Sequence, residues 1–350
     1  MKKLIASLLA LALAASAFAG CGAASSSAAA SATAAPASSA AATAAPSSSA
    51  AAVAPTDIRI AGLKGPTSMG MVKLMDDAAN GKAANNYTFT IAGSADEVTP
   101  KLTQGELDIA AVPANLAAVL YNNTKGAVQL LAVNTLGVIY IVEKGETVQS
   151  LADLKGKTIY ATGKGSTPEY ALKYILAQNG IDADKDVTIE WKTEPTEVVQ
   201  VLAQTDGAIA MLPQPFVTVA QTQVQGLRVA IDLNKSWNDL NNGSMFLTGV
   251  LVVRTEFAKE HPDQIAAFLK EYQASTEWVN ANPADAATLI EKAGIVKAAI
   301  AEKALPFCNI TYLAGSEMKS ATAGYLKVLF DQNPKSVGGT LPGDDFYYGA

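Results

Sequence analysis

The sequence predicts an α/β protein of two lobes, each a mostly parallel sheet flanked by helices, with a ligand cleft between the lobes. Three observations predict it. Short β-rich runs alternate with helical stretches along the body of the chain, the alternation restarts partway, and loops rich in glycine and hydroxyl residues follow the strands. At 350 residues the chain accommodates two ordinary domains plus a leader and a linker. Hydrophobic residues make up 49% and charged residues 17%, enough apolar material for a buried core.

Met1-Lys2-Lys3 is cationic, and residues 4–17 are apolar but too short and alanine-rich for a spanning helix, so residues 1–20 read as a secretory leader. Phe18-Ala19-Gly20-Cys21 places small residues directly before a cysteine and resembles the lipobox of bacterial lipoproteins, with Phe18 where leucine is usual. The resemblance implies that Cys21 becomes a lipidated N-terminus and ties the chain to the outer face of the cell membrane. Residues 22–56 contain no charged side chain and are nearly all Ala, Ser, Thr or Pro, so residues 21–56 read as the lipidated cysteine and a disordered tether. A coil of that length reaches about 30–35 Å.

The formal charge is −6, and without Lys2 and Lys3 it becomes −8, 24 basic against 32 acidic residues. That sign disfavours nucleic acid, whose phosphates need clustered Lys and Arg. With Cys21 acylated, Cys308 has no partner and reads as a small buried apolar residue. One remaining Cys and one His cannot build a zinc site, and no cofactor or metal is expected.

The body opens with a strand at 58–63, a turn at 64–67 and a helix at 68–79 capped by Ser68, with Met71, Leu74, Met75 and Ala78 on one face. A strand at 87–92 precedes a helix at 96–104, and a buried strand at 107–112 ends at Pro113 before a helix at 114–121. Strands at 128–134 and 137–142 complete this block. The second block runs from a strand at 154–160 through a loop at 163–168, a helix at 169–178, a strand at 187–190, a helix at 196–203 and strands at 207–212 and 227–233. The strand at 247–253 returns to the first sheet, and the remainder is helical, with Glu260 and His261 before Pro262 marking a helix start. The boundaries are therefore 57–148 plus 244–350 for lobe 1 and 149–243 for lobe 2, with hinges near 145–154 and 233–243.

Five segments carry a family resemblance: Gly105-Glu106-Leu107-Asp108-Ile109-Ala110-Ala111-Val112-Pro113, Ser150-Leu151-Ala152-Asp153-Leu154-Lys155-Gly156-Lys157, Gly165-Ser166-Thr167-Pro168, Met211-Leu212-Pro213-Gln214-Pro215-Phe216, and Val252-Val253-Arg254-Thr255-Glu256-Phe257-Ala258 with His261-Pro262. The resemblance covers about residues 57–332, nearly the whole body. The body resembles the type II periplasmic-binding-protein fold, within the group of nitrate, sulfonate, taurine and thiamine-precursor binders. The resemblance implies an extracytoplasmic, monomeric binding protein that closes two lobes on a small solute and delivers it to an ABC importer permease. Gln214 stands where the family often has Glu, which leaves a neutral or an anionic ligand open.

In open sheets ligands sit beyond the carboxyl ends of strands, where helix N-termini aim their amides. That rule selects Lys64, Gly65, Pro66, Thr67, Ser68, Met69, Ser94, Pro113 and Asn115 from the first lobe, and Lys164, Gly165, Ser166, Thr167, Pro213, Gln214 and Phe216 from the second. Lys64 and Lys164 head matching loops and suit an anionic group, or are simply solvated; the glycines and hydroxyls approach a ligand, or only form turns and caps. Met69 and Met71 read as a cleft wall or as core, and Trp191, Trp237 and Phe246 as ring-stacking or packing. No catalytic residues are expected. His261, the one histidine, lies away from these loops, and no nucleophile elbow, P-loop or metal spacing appears. An enzyme on the same fold, with Glu97 or Glu169 as base, and a ligand sensor for a membrane receptor are the alternatives.

Overall fold

The computed structural model describes residues 54–350; the leader, Cys21 and the tether up to residue 53 lie outside the described residues. The first sheet takes β1 (Asp57–Leu63), β2 (Asn86–Ala92), β3 (Ile109–Pro113) and β4 (Val128–Leu136). The chain then crosses, and β5 (Ile139–Lys144), β6 (Thr158–Ala161), β7 (Thr188–Trp191), β8 (Ile209–Pro213) and β9 (Leu227–Asp232) form the second sheet. It returns for β10 (Leu247–Arg254) and β11 (Ile310–Leu313). The orders are β11-β4-β10-β3-β1-β2 and β7-β6-β8-β5-β9. Within each sheet most strands share one direction, but β10 and β11 in the first and β5 in the second run against their neighbours, so both sheets are mixed.

Helices cover both sheets. The first lobe carries α1 (Pro66–Met69), α2 (Val72–Ala79), α3 (Thr99–Thr103) and α4 (Ala114–Asn123), and the second α5 (Thr167–Gln178), α6 (Pro195–Gln204), α7 (Phe216–Gln223) and α8 (Leu233–Asp239). Past the return come α9 (Thr255–Glu260), α10 (Pro262–Ala281), α11 (Pro283–Lys292), α12 (Ala298–Ala304) and α13 (Gly315–Gln332). Central strands are apolar on both faces, as sheets covered twice require: Ile109, Ala110, Ala111 and Val112 are all fully buried. Each large aliphatic side chain so buried contributes about 1.5–3 kcal/mol. The edge strand β2 instead alternates between exposed and partly buried residues.

The structure corrects the boundaries read from sequence. β5 pairs with β8 and β9, so the first crossing lies at residues 136–139 and not near 148. The turn Glu143-Lys144-Gly145-Glu146 resembles a crossing, but the fully buried Glu143 fastens it locally: its carboxylate accepts from the amides of Thr147 (2.8 Å) and Val148 (3.1 Å) and from Arg228 (2.5 Å). At the true crossing a Cβ on Gly137 would strike Asn234 and lie 2.6 Å from Phe246, so both connections pack side by side. There Trp237 stacks on Phe246 (5.1 Å, 14°) and touches Tyr174 and Tyr325, joining the lobes through one apolar core.

Three further expectations change. The helix read over 68–79 breaks into α1 and α2 at Gly70, because α10 packs into the break. A Cβ there would lie 3.0–3.3 Å from Ile310, Thr276 and Tyr272. Ser275 Oγ, on α10, donates to Gly70 O (2.7 Å) and accepts from Leu74 N–H (3.1 Å), satisfying groups the broken helix leaves orphaned. Gly65, not Ser68, occupies the N-cap of α1. The helix read over 96–104 divides into a 3₁₀ turn and α3, and β11, a four-residue strand, interrupts a region read as wholly helical. None of the helices among the described residues is long and apolar enough to cross a membrane.

Candidate functional site

Strand direction decides which loops meet. The carboxyl ends of β1 to β4 point at the second lobe and those of β6 to β9 at the first, and the loops beyond them touch along a seam. Asn115 N–H donates to Thr167 Oγ1 (3.4 Å), Thr167 Oγ1 donates to Asn115 Oδ1 (3.2 Å), and Tyr325 OH donates to the same threonine oxygen (3.4 Å). Tyr140 OH donates to Phe307 O (3.4 Å), and Asn309 Nδ2 to Gly137 O (2.5 Å). At the mouth, Glu194 from the loop after β7 reaches Gly93 from the loop after β2. The lobes are therefore closed on one another.

In the first lobe, Lys64 is exposed while its N–H donates to Ala92 O (2.9 Å). Gly65 and Pro66 start α1, and Thr67 follows with its hydroxyl shielded from solvent and without a hydrogen-bond partner. Thr67 O accepts from Asn134 Nδ2 (3.1 Å), and a Cβ on Gly249 would lie 2.5 Å from the Thr67 methyl. Thr67, Asn134, Thr135 and Gly249 thus form a small polar floor. Ser94 begins a capping box in which the Glu97 carboxylate accepts from Gly93 N–H and Ser94 N–H, 3.0 Å each. Pro113 ends β3 and precedes Asn115, which is fully buried and also donates to Ser336 O (2.9 Å).

In the second lobe, Lys164 and Gly165 are exposed, and Gly165 adopts φ +74°, a left-handed conformation that favours glycine. Gly165 N–H donates to Glu169 Oε2 (2.7 Å), and Ser166 Oγ to Gly163 O (2.9 Å). Thr167 is fully buried in the contacts described above. Pro213 closes β8; Gln214 N–H donates to Val138 O (2.9 Å), and its Oε1 accepts from Thr218 Oγ1 (3.0 Å). The Gln214–Pro215 bond is cis.

Several residues read as ligand contacts turn elsewhere. Ser68 and Met69 are fully buried in the first lobe, Met69 with its sulfur 3.8 Å from Cys308 Sγ, and Phe216 packs inside the second-lobe core. A helix turns by about 100° per residue, so consecutive residues of a helix start face different sides and some of them point into the lobe. Met71 is core as well, and Trp237 and Phe246 stack on each other. Cys308 is fully buried, with burial pushing its thiol above the ordinary range. Sequence reasoning missed Asn134, Gly249, Glu194 and Tyr325. Asn134 carried a usable signal, an amide in the apolar run Leu130-Leu131-Ala132-Val133 and so a buried polar group needing partners. Glu194 and Tyr325 carried none, since only the fold brings them to the seam. Two grooves of about 570 Å³ each are lined by none of the residues read as ligand contacts, one beside Lys173 and Gln332 between α5 and α13 and one beside Lys125 and Arg254.

Two mixed sheets joined by paired crossings, their strand ends meeting at a seam, define the two-lobed class of binding proteins. The family model described as NMT1-like matches residues 78–294, and the chain belongs to that family. An ABC transporter structure from Parabacteroides distasonis superposes with a TM-score of 0.69 and 25% identity, covering 83% of this chain and 98% of that one. The alkanesulfonate-binding protein SsuA from Xanthomonas axonopodis pv. citri, bound to MOPS, shares the fold with a TM-score of 0.65 and 14% identity over 83% and 96%. A binding protein of Brucella abortus (strain 2308) is 24% identical over 173 residues, 49% of this chain and 52% of its own length. The chain thus spans about half the length of the curated relatives it matches.

Proposed function

We propose that this protein is the solute-binding component of an ABC-type importer, holding one small molecule at the seam and presenting the closed form to a membrane permease. The observation that carries the reading is the meeting of strand-end loops from both lobes, Asn115 with Thr167 and Gly93 with Glu194, in a chain of the NMT1-like family. A solute touching both sides stabilises the closed arrangement over the open one by the free energy of contacts made only on closure. No bond in the solute need change, so binding without turnover is the activity.

The reading extends to location. The lipobox-like Phe18-Ala19-Gly20-Cys21 supports a lipid on Cys21 that holds a monomer outside the cytoplasm. A Cys21→Ser chain released from the membrane fraction fits this anchor; a variant that stays membrane-bound opposes it. For the binding role, small-angle scattering and thermal unfolding of the full chain are followed across a small-molecule panel. A solute that raises the melting temperature and compacts the particle, and is recovered unchanged after prolonged incubation, is the expected result. Turnover of that solute favours an enzyme, and no response to any compound removes the proposal.

A further inference from the structure

We infer that residues 333–350 position Asn115 for lobe closure, so that Ser336 and Asn122, outside the seam, set how readily the lobes close. The inference rests on the closing motion proposed above. An amide side chain has an accepting end and a donating end, and its neighbours decide which way it faces. Asn115 is fully buried, and on one side of it stands Ser336 O, a carbonyl that can only accept and that takes Nδ2 at 2.9 Å. Oδ1 is thereby turned to the second lobe, where it accepts the Thr167 hydroxyl proton (3.2 Å). With its proton so placed, Thr167 Oγ1 is free to accept from Tyr325 OH (3.4 Å). The directions of these bonds across the seam follow from one backbone carbonyl of the last segment.

Ser336 is itself held in place. Its Oγ donates to Leu329 O (3.1 Å) and its N–H to Asn333 O (2.9 Å), in the 3₁₀ turn Pro334–Val337 that follows α13. Just beyond, Asn122 Nδ2 donates to both Val337 O (2.7 Å) and Thr340 O (2.8 Å). Asn115 and Asn122 stand two helical turns apart on α4, about 10 Å, so one face of that helix grips the segment at both places. A Cβ on Gly338 would lie 3.1 Å from Asn122 and from Val119, so the segment lies directly on α4. Farther along, Phe346 is fully buried with its ring against Tyr121, and Tyr348 N–H donates to Leu130 O (3.0 Å).

The partners of the segment lie on α4, α13 and β4, all in the first lobe, so opening the lobes breaks none of these contacts. Asn115 then keeps its orientation while the lobes are apart, and closing requires no reordering of its side chain. A loosened segment lets the amide turn, and the closed form loses what the fixed orientation contributed. Ser336 and Asn122 are thus positioning residues that act through Asn115.

The test is hydrogen exchange at the residue 115 amide of the full chain. That N–H donates to Thr167 Oγ1 across the seam, so its exchange speeds up in proportion to the open population, however small. No solute is needed, which separates this inference from the binding role that the compound panel tests. Asn122→Ala removes a grip on the segment without entering the seam, and Gly338→Ala lifts the segment by crowding α4; thermal unfolding checks that each keeps one cooperative transition. The expected result is exchange about fivefold faster in both, the scale of one weakened hydrogen bond. Asn122→Ala should add nothing once Asn115 is alanine, whereas a general softening of the first lobe would act equally in both backgrounds. The inference is overturned if both single variants exchange at the wild-type rate, or if Asn122→Ala has its full effect in the Asn115→Ala background. It is equally overturned if Asn115→Ala leaves the exchange unchanged, and the solute-binding role then stands without it.

Discussion

The two lobes open with nearly the same four residues, Lys64-Gly65-Pro66-Thr67 in the first and Lys164-Gly165-Ser166-Thr167 in the second, and the fold uses them differently. Gly65 is extended and buried at the start of a four-residue helix, whereas Gly165 is left-handed and exposed before a helix of twelve. Thr67 keeps its hydroxyl without a partner above the Asn134–Gly249 floor, while the Thr167 hydroxyl donates to Asn115 Oδ1 and accepts from Tyr325 OH. One threonine keeps an unpartnered hydroxyl, which we propose for the ligand, and the other joins the lobes. The same local motif therefore does not mean the same role, because the neighbours that decide the role arrive from residues far away in the chain. The bases of the lobes are alike by contrast: each keeps one buried carboxylate, Asp108 or Glu143, under arginine.

The largest expected effect tests that likeness. Glu143→Ala leaves Arg228 and the Thr147 and Val148 amides without their acceptor, and should cost about 3 kcal/mol in denaturant unfolding, as for a broken buried pair. Burial pushes both carboxyls up, but the Arg59 and Arg254 hydrogen bonds to Asp108, and the Thr147, Val148 and Arg228 contacts to Glu143, outweigh it and leave both below the usual range. Native values below unfolded ones mean the contribution is full above the unfolded carboxylate range, about pH 4, and is lost as pH falls through the depressed native values. Wild type should thus lose stability steeply under acid, and Glu143→Ala less so. Equal acid sensitivity in both would deny Glu143 this part.

Asn115→Ala comes next. It strands the Ser336 carbonyl and removes the side-chain oxygen to which Thr167 Oγ1 donates, while the backbone N–H at 115 remains, for a loss of about 2 kcal/mol and a shift toward open particles in scattering. A variant that stays closed would show that the remaining contacts, Trp237 on Phe246 and Tyr325 on Thr167 among them, hold the lobes without Asn115. The glycine pair follows: neither position would crowd a new methyl, so Gly165→Ala should cost about 1 kcal/mol through its left-handed backbone and Gly65→Ala close to nothing. Equal melting temperatures for the two would erase the contrast. Smallest in stability is Thr67→Ala, which should leave the melting temperature nearly unchanged and weaken solute binding measured by calorimetry. If Thr167→Ala weakens binding as much without shifting the open and closed populations, the two loops share one role after all.

The strand-and-helix order was legible because each element answers to local periodicity. The run Ile109-Ala110-Ala111-Val112, short and closed by Pro113, fits a strand covered on both faces, and Pro262 after His261 fits a helix start. The fate of β5 was not legible. Glu143-Lys144-Gly145-Glu146 has the composition of a linker, and what fastens it is the burial of Glu143 against Arg228, 85 residues further on, together with the Thr147 and Val148 amides. The break at Gly70 depended in the same way on Ser275, and the seam drew on Glu194 and Tyr325, which nothing local marks.

By itself the sequence determined the alternation of elements, the position of the strand-end loops and the acidic balance, since these follow from the order of side chains along one chain. The tertiary structure alone decided which of those loops meet, which threonine is left unpartnered and where the two crossings lie. Those outcomes depend on contacts between residues far apart in the chain, and the pairing energy of such contacts exists only once both partners have been brought together.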